Sequence, residues 1–220
     1  MKLKCLASIK PKKHNIIFDF DGTLLDSRQR HIIVLTDCIN QINGTKYIPE
    51  DFNDFISYKS DGNSGLTYLQ SKEIPNANDI FALWVKKIED KEYLGTDILY
   101  PNVCECLNVL KSQYNLFLVS ARNNKENAYW QVSNLNISSF FKEIFFVSNT
   151  GNVGDNKYMA VKPLSIAYVI GDTEIDYDLA KKLNCIFFPV NCGFRSAAFW
   201  EKLFGKSYNN IKEVLLQIKK

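Results

Sequence analysis

Short, continuously apolar runs separated by stretches of helical periodicity organise most of this chain. Five runs read as strands: Ile16–Phe18, Leu116–Val119, Ile144–Val147, Tyr168–Ile170 and Ile186–Val190. Most are apolar without alternation, as expected of strands covered on both faces. Val103–Leu110, Ala128–Leu135, Ile175–Leu183 and Ile211–Ile218 carry apolar residues at helical spacing. Strands alternating with helices predict an α/β fold, a doubly wound parallel sheet.

The spacing is uneven after the first strand. The next clear strand starts near Leu116, and one crossover helix near Val103 fills only part of that gap. Residues 27–98 therefore read as an insert. It has helix-like stretches at Arg28–Ile42, Phe52–Ile56, Leu66–Gln70 and Asn78–Tyr93, and no convincing strand. The predicted organisation is an N-terminal arm (1–13), a core (14–26 and 99–220) and an inserted helical cap (27–98). Hinges are expected near Asp26-Ser27 and near Gly95–Asn102.

Composition narrows the classes. The 220 residues suit one generous domain or a core with an insert, and a net charge of +3 with scattered lysines argues against nucleic acid. No apolar stretch approaches the roughly 18 residues of a membrane span. The lysine-rich start lacks the apolar segment of a secretory signal. The six cysteines form no CxxC pair and read as small buried thiols. A cytoplasmic location is expected, and the oligomeric state is not legible.

Ligands of open α/β sheets bind outside the carboxyl ends of the strands. The first predicted strand ends in Asp19-Phe20-Asp21-Gly22-Thr23, the second in Ser120-Ala121-Arg122, and the fourth in Gly171-Asp172-Thr173-Glu174-Ile175-Asp176. Buried carboxylates cost several kcal/mol unless paired or metal-bound. Asp19, Asp21 and Asp172 together resemble a site for a hard cation such as Mg2+. Asp176, one helical turn after Asp172, is placed to orient that shell. The Ser120 hydroxyl and the Ala121 amide suit a phosphate at a helix N-terminus. A lysine completes the charge balance: Lys157, which reads as opening a helix, or Lys162, which precedes Pro163. Helix placement favours Lys157.

These residues, in this order, resemble the four motifs of the haloacid dehalogenase-like hydrolase superfamily: Asp19-x-Asp21-Gly22-Thr23, Ser120, Lys157, and Gly171-Asp172-(x)3-Asp176. The resemblance implies a Rossmann-like core and a role for each residue. Asp19 would be the nucleophile, and Asp21 the proton carrier. Magnesium would bridge Asp19, the Asp21 carbonyl, Asp172 and the phosphate. Thr23, Ser120 and Lys157 would hold phosphate oxygens. The acid at position 21 favours phosphoryl transfer over dehalogenation. The insert resembles the helical cap of phosphoglycolate phosphatase-like and β-phosphoglucomutase-like members. The expected activity is a Mg2+-dependent phosphatase acting on a small phosphorylated metabolite. A phosphomutase, or a non-catalytic binding protein on the same fold, are the alternatives.

Other residues carry two readings. Arg122 reaches substrate or pairs with an acid. Lys59, in a glycine-flanked cap segment, meets an anionic substrate or is solvated. His31 reads as a surface or packed residue. Trp84, Tyr93 and Trp130 read as core, and Cys192-Gly193 as a turn without chemistry.

Overall fold

The computed structural model describes residues 13–218. The expected arm and Cys5 therefore lie, apart from Lys13, outside the described residues. The chain begins with β1 (Asn15–Phe18) and the two-residue β2 (Leu25–Asp26). Helices α1 (Arg28–Asn43), α2 (Phe55–Ser60), α3 (Gly65–Ser71), α4 (Ala77–Lys87) and α5 (Lys91–Leu94) follow, then the short β3 (Ile98–Leu99). The remainder alternates: α6 (Val103–Gln113), β4 (Asn115–Ala121), α7 (Lys125–Asn134), β5 (Glu143–Val147), α8 (Val153–Val161), β6 (Ile166–Gly171), α9 (Glu174–Leu183) and β7 (Ile186–Pro189). Helices α10 (Ala197–Phe204) and α11 (Ile211–Ile218) close it.

The five longer strands form one parallel sheet in the order β5-β4-β1-β6-β7. Successive side chains of a strand face opposite ways, so each strand feeds two cores. Ile16, Phe18, Leu116, Leu118 and Ile170 pack with α6, α7 and α11. Ile17, Phe117, Val119 and Val169 pack on the other face with Val161 of α8, Leu179 of α9 and Trp200 of α10. This two-sided burial is why the strands read as continuous apolar runs. β1 lies between β4 and β6, so the chain leaves it in one direction and returns on the other side. That topological switch opens a crevice at the carboxyl end of β1.

Helices α1 to α5 carry an apolar cluster of their own, with Val34, Leu35, Cys38, Ile39, Phe55, Tyr68, Leu69 and Ile80 buried. Three local expectations need correction. The strand-free reading of 27–98 misses Ile98, which pairs with Asp26 while Leu99 pairs with Leu25 in an antiparallel ribbon that joins both crossings. The single helix expected over Asn78–Tyr93 breaks at Ile88–Asp90. The Ile88 carbonyl there accepts a hydrogen bond from Arg30, and the Glu89 carboxylate is drawn to the amides of Asn123 and Asn124, just before α7. The stretch expected at Phe52–Ile56 divides into a 3-10 turn at Pro49–Phe52 and then α2. The cysteines are not uniformly buried: Cys104 is exposed and Cys106 buried, on different faces of α6. No helix among the described residues is long and apolar enough to cross a membrane.

Candidate active site

The chain turns at once after β1. Asp19 still follows the sheet, its N–H donating to the Ile170 carbonyl at 2.9 Å, and Phe20 is fully buried under the turn. Gly22 adopts φ = 75°, and a Cβ there would lie 2.1 Å from Asp172 Oδ2. Only glycine suits both the left-handed backbone and that approach. A second glycine, Gly193 after β7, would place its Cβ 2.2 Å from the same oxygen. Next to it, the Phe194 N–H donates to Asp172 Oδ2 at 2.8 Å. Two loops, after β1 and after β7, thus converge on the Asp172 carboxylate.

Asp19, Asp172 and Asp176 are all buried, and each offers an oxygen within 4.8 Å of the others'. Lys157, near the middle of α8, reaches into this cluster. Its Nζ donates to Asp19 Oδ1 and to Asp176 Oδ1, both at 2.7 Å. The other Asp176 oxygen accepts from the Thr173 hydroxyl at 2.9 Å and caps α9. Burial pushes the Asp19 carboxyl up to about 7, with Lys157 opposing and Asp176 and Asp21 adding to the rise. Burial together with Asp19 and Asp176 pushes Asp172 well above the carboxylate range. Burial works against the Lys157 ammonium, but Asp176 and Asp19 outweigh it and hold the charged form. Three crowded carboxylates facing one lysine leave negative charge to be balanced. An all-oxygen donor set in a buried cradle fits a hard divalent cation.

Asp21 faces a different environment. Arg122 grips it in bidentate fashion, Nε to Oδ2 at 3.0 Å and Nη2 to Oδ1 at 2.8 Å. Arg30, from the first turn of α1, adds a charged hydrogen bond to Oδ1. Burial would raise the Asp21 pKa, but the two arginines outweigh it and hold the carboxyl below its usual range. The two acids of the first motif are therefore pushed apart in pKa, Asp19 up and Asp21 down.

Both acids open onto a cavity of about 200 Å3. Ser120, Ala121, Arg122 and Lys157 line it with them on the sheet side, with Phe194 from the loop after β7, and His31, Trp84 and Ile88 on the helical side. Arg122 pairs with an acid, one of its two readings, and also lines the cavity. Lys162, the rival to Lys157, is exposed at the end of α8. Lys157 does not open that helix, which starts four residues earlier at Val153.

Several expectations are revised. Thr23 is fully buried outside the cavity wall, its hydroxyl donating to Asp172 Oδ1 at 3.4 Å. Lys59 is neither solvated nor on the wall. Its Nζ sits 4.2 Å from the Phe194 ring centroid and 3.3 Å from His31 Nδ1, which is packed between Phe194 and Trp84. Trp84 lines the cavity rather than serving only as core. Asp176 does not lie one helical turn beyond Asp172, because α9 starts between them at Glu174; it reaches the cluster as a capping residue. Cys192-Gly193, read as a turn without chemistry, forms one wall of the Asp172 cradle. In the sequence Arg30 is one charged residue early in the Arg28–Ile42 stretch, and nothing local marks its partner Asp21.

The doubly wound sheet thus gathers an acidic cluster, a buried lysine and a helix-covered cavity at its switch point. The sequence profile of the haloacid dehalogenase-like hydrolase family matches residues 16–190, and the chain belongs to that family. Phosphoglycolate phosphatase from Aquifex aeolicus is 25% identical over 178 residues, 76% of this chain and 79% of that protein. Among solved structures, a haloacid dehalogenase-like hydrolase from Streptococcus pneumoniae aligns with a TM-score of 0.70 at 22% identity, covering 94% of this chain and 98% of that one. A predicted phosphoglycolate phosphatase from Haemophilus somnus aligns with a TM-score of 0.70 at 18% identity, covering 96% and 100%. At these identities the structural likeness concerns the fold.

Proposed function

We propose that this protein is a Mg2+-dependent phosphatase that hydrolyses a small organic phosphate monoester, with residues 27–98 as a cap over the site. The observation that carries the reading is the separate environment of two acids opening on one cavity: Asp19 beside Lys157 and the carboxylate cluster, Asp21 between two arginines.

Asp19 is the nucleophile. Its Oδ1 is held by Lys157, which leaves Oδ2 to attack phosphorus and form an aspartyl-phosphate as the leaving oxygen departs. Asp21 delivers a proton to that oxygen and then takes one from the water that hydrolyses the intermediate. Its arginines keep it a carboxylate at rest, the form the second step needs. The negative charge of a bound phosphate counters them and favours protonation for the first step. Ser120 and the Ala121 N–H, at the end of β4 and ahead of α7 rather than at its N-terminus, hold phosphate oxygens, and Lys157 neutralises charge on them. Asp19, Asp172 and the Asp21 carbonyl would hold the magnesium, with Asp176 steadying the set. The ion supplies charge neutralisation when bound, and such transfers depend mainly on positioning and charge. The 200 Å3 cavity suits a small substrate rather than a macromolecule.

The test is inorganic phosphate release from a panel of phosphorylated metabolites with Mg2+. Phosphoglycolate belongs in it because the Aquifex relative bears that name. The wild type releases phosphate, and Asp19→Asn does not. Isomerised sugar phosphate without free phosphate would favour the mutase alternative, and metal-independent release equal in both proteins would overturn the proposal.

A further inference from the structure

Asp21 belongs to a closed ring of buried polar side chains that reaches well beyond the cavity. Arg30 Nη2 donates to Asp21, and Arg30 Nε lies 3.2 Å from Asp97 Oδ2. The same Asp97 oxygen accepts from Gln131 Nε2 at 2.6 Å. Gln131 Oε1 accepts from Arg122 Nη2 at 3.1 Å, and Arg122 returns to Asp21. Arg30, Arg122 and Gln131 are each 2% exposed and Asp97 6%. The Gln131 amide has one workable orientation: its nitrogen also donates to the Leu94 carbonyl at 3.1 Å, while its oxygen faces a guanidinium. Neither Gln131 nor Asp97 lines the cavity.

The members come from every part that meets at the hinge. Asp21 and Arg122 belong to the loops after β1 and β4. Arg30 stands in the first turn of α1, just past one crossing. Asp97 directly precedes β3 at the other crossing, and Gln131 lies on α7. A guanidinium on a flexible stem is oriented by the partners its fork meets besides the carboxylate it grips. Gln131 supplies a hydrogen bond to Arg122, and Asp97 an ion-pair contact to Arg30, whose Nη1 also donates to the Ile88 carbonyl.

We propose that Gln131 and Asp97 are positioning residues for the proton transfer. They fix Arg122 and Arg30, which fix the Asp21 carboxyl, and so tie its aim to the seating of α1 and β3 at the hinge. The inference rests on the phosphatase reading, in which Asp21 gives its proton to the leaving oxygen as the P–O bond breaks, leaving an alcohol and the Asp21 carboxylate. A loosened ring misplaces that donor. The burden then falls on esters whose alkoxide cannot leave unprotonated, and little on esters whose leaving group is already a stable anion.

The experiment compares kcat/KM for an alkyl phosphate and for p-nitrophenyl phosphate, with saturating Mg2+. The proteins are the wild type, Asp21→Asn, Gln131→Met and Asp97→Asn, each checked for folding by thermal denaturation. Gln131→Met keeps the volume and removes both ends of the amide; Asp97→Asn tests the ring at a second member if the first variant folds poorly. In Asp21→Asn the alkyl ester slows by about 10²-fold or more relative to the aryl ester. In Gln131→Met and Asp97→Asn the same ratio falls in the same direction, by about tenfold. A structural defect alone slows both esters alike. If Asp21→Asn shows the selective loss while both ring variants slow the two esters equally or leave them unchanged, the positioning role is overturned. If Asp21→Asn itself shows no selectivity, the phosphatase reading of Asp21 fails, and this inference with it.

Discussion

The Lys157 ammonium donates a 2.7 Å hydrogen bond to Asp19 Oδ1 across 138 residues of sequence. The same ammonium is the only lysine or arginine bonded to the Asp19, Asp172 and Asp176 cluster among the described residues. Removing it leaves three buried carboxylates without their organic counter-charge. Lys157→Met is expected to lose about 3–5 kcal/mol of stability, the usual cost of breaking a buried pair. Added Mg2+ should recover part of that, because a ligand that binds only the folded state stabilises it. Turnover should fall by on the order of 10²–10³-fold, as for loss of one charge-stabilising group. Thermal denaturation with Mg2+ or with EDTA, paired with a phosphate-release assay, checks all three outcomes.

Gly193 presses on the opposite side of the cluster. An added Cβ would stand 2.2 Å from Asp172 Oδ2 and 2.5 Å from the Gly22 carbonyl oxygen, so backbone must move. Gly193→Ala should cost about 1–3 kcal/mol, as overpacking usually does. It should also raise the Mg2+ concentration for half-maximal activity by about tenfold or more, as changes just outside a metal's ligands do. A Mg2+ titration of activity, unchanged from the wild type, would count against a cradle role for this loop.

Lys59 supplies a pH prediction. Burial, and then nearby Arg195, push its ammonium down to about 7 from an ordinary 10.5, in contact with His31, Trp84 and Phe194. The folded protein therefore binds fewer protons at this residue than the unfolded chain between those two values. The penalty is full below about pH 7 and fades as pH rises toward 10.5. Lys59→Met removes it, so the stability of the variant relative to wild type should grow as pH falls through that window and level off below it. The slope is at most about 1.4 kcal/mol per pH unit. Urea denaturation of both proteins at about pH 6, 8 and 10 reads the difference.

Glu89 links the helical insert to the core. Its carboxylate accepts the N–H groups of Asn123 and Asn124 at 3.1 and 2.6 Å, ahead of the first turn of α7. Charged hydrogen bonds at a helix N-terminus stabilise in two ways, through the bonds themselves and through the helix dipole. Glu89→Ala should cost about 1–2 kcal/mol in chemical denaturation. Because Glu89 also borders the cavity, the loss should bring a higher KM for substrate. An unchanged KM in a folded variant would separate the latch from the cavity.

The sheet was legible in the sequence because two-sided burial demands continuous apolar runs, and five such runs became the five strands of the parallel sheet. The carboxyl-end rule then placed Asp19, Asp21, Ser120 and Asp172 at one edge without any contact being known. Helix α10 shows a signal left unused: Ser196 caps its start and Gly205 ends it in the left-handed conformation. The break at Ile88–Asp90 carries only Asp90, the N-cap of α5, as a local marker. No glycine or proline interrupts the periodic pattern there, and bonds to Arg30 and to the amides before α7 override it.

What the sequence by itself determined is the layered fold and the gathering of acids at the carboxyl ends of its strands. These follow from patterns spanning a few residues, burial period and turn chemistry, which the chain carries locally. Only the tertiary structure decided that Lys157 rather than Lys162 enters the carboxylate cluster, that Lys59 turns into an aromatic pocket, and that Asp21 sits in a ring with Arg30, Asp97, Gln131 and Arg122. Most of those pairings join residues tens of positions apart. Their energies depend on distance and desolvation after packing, and no local pattern of residues encodes either.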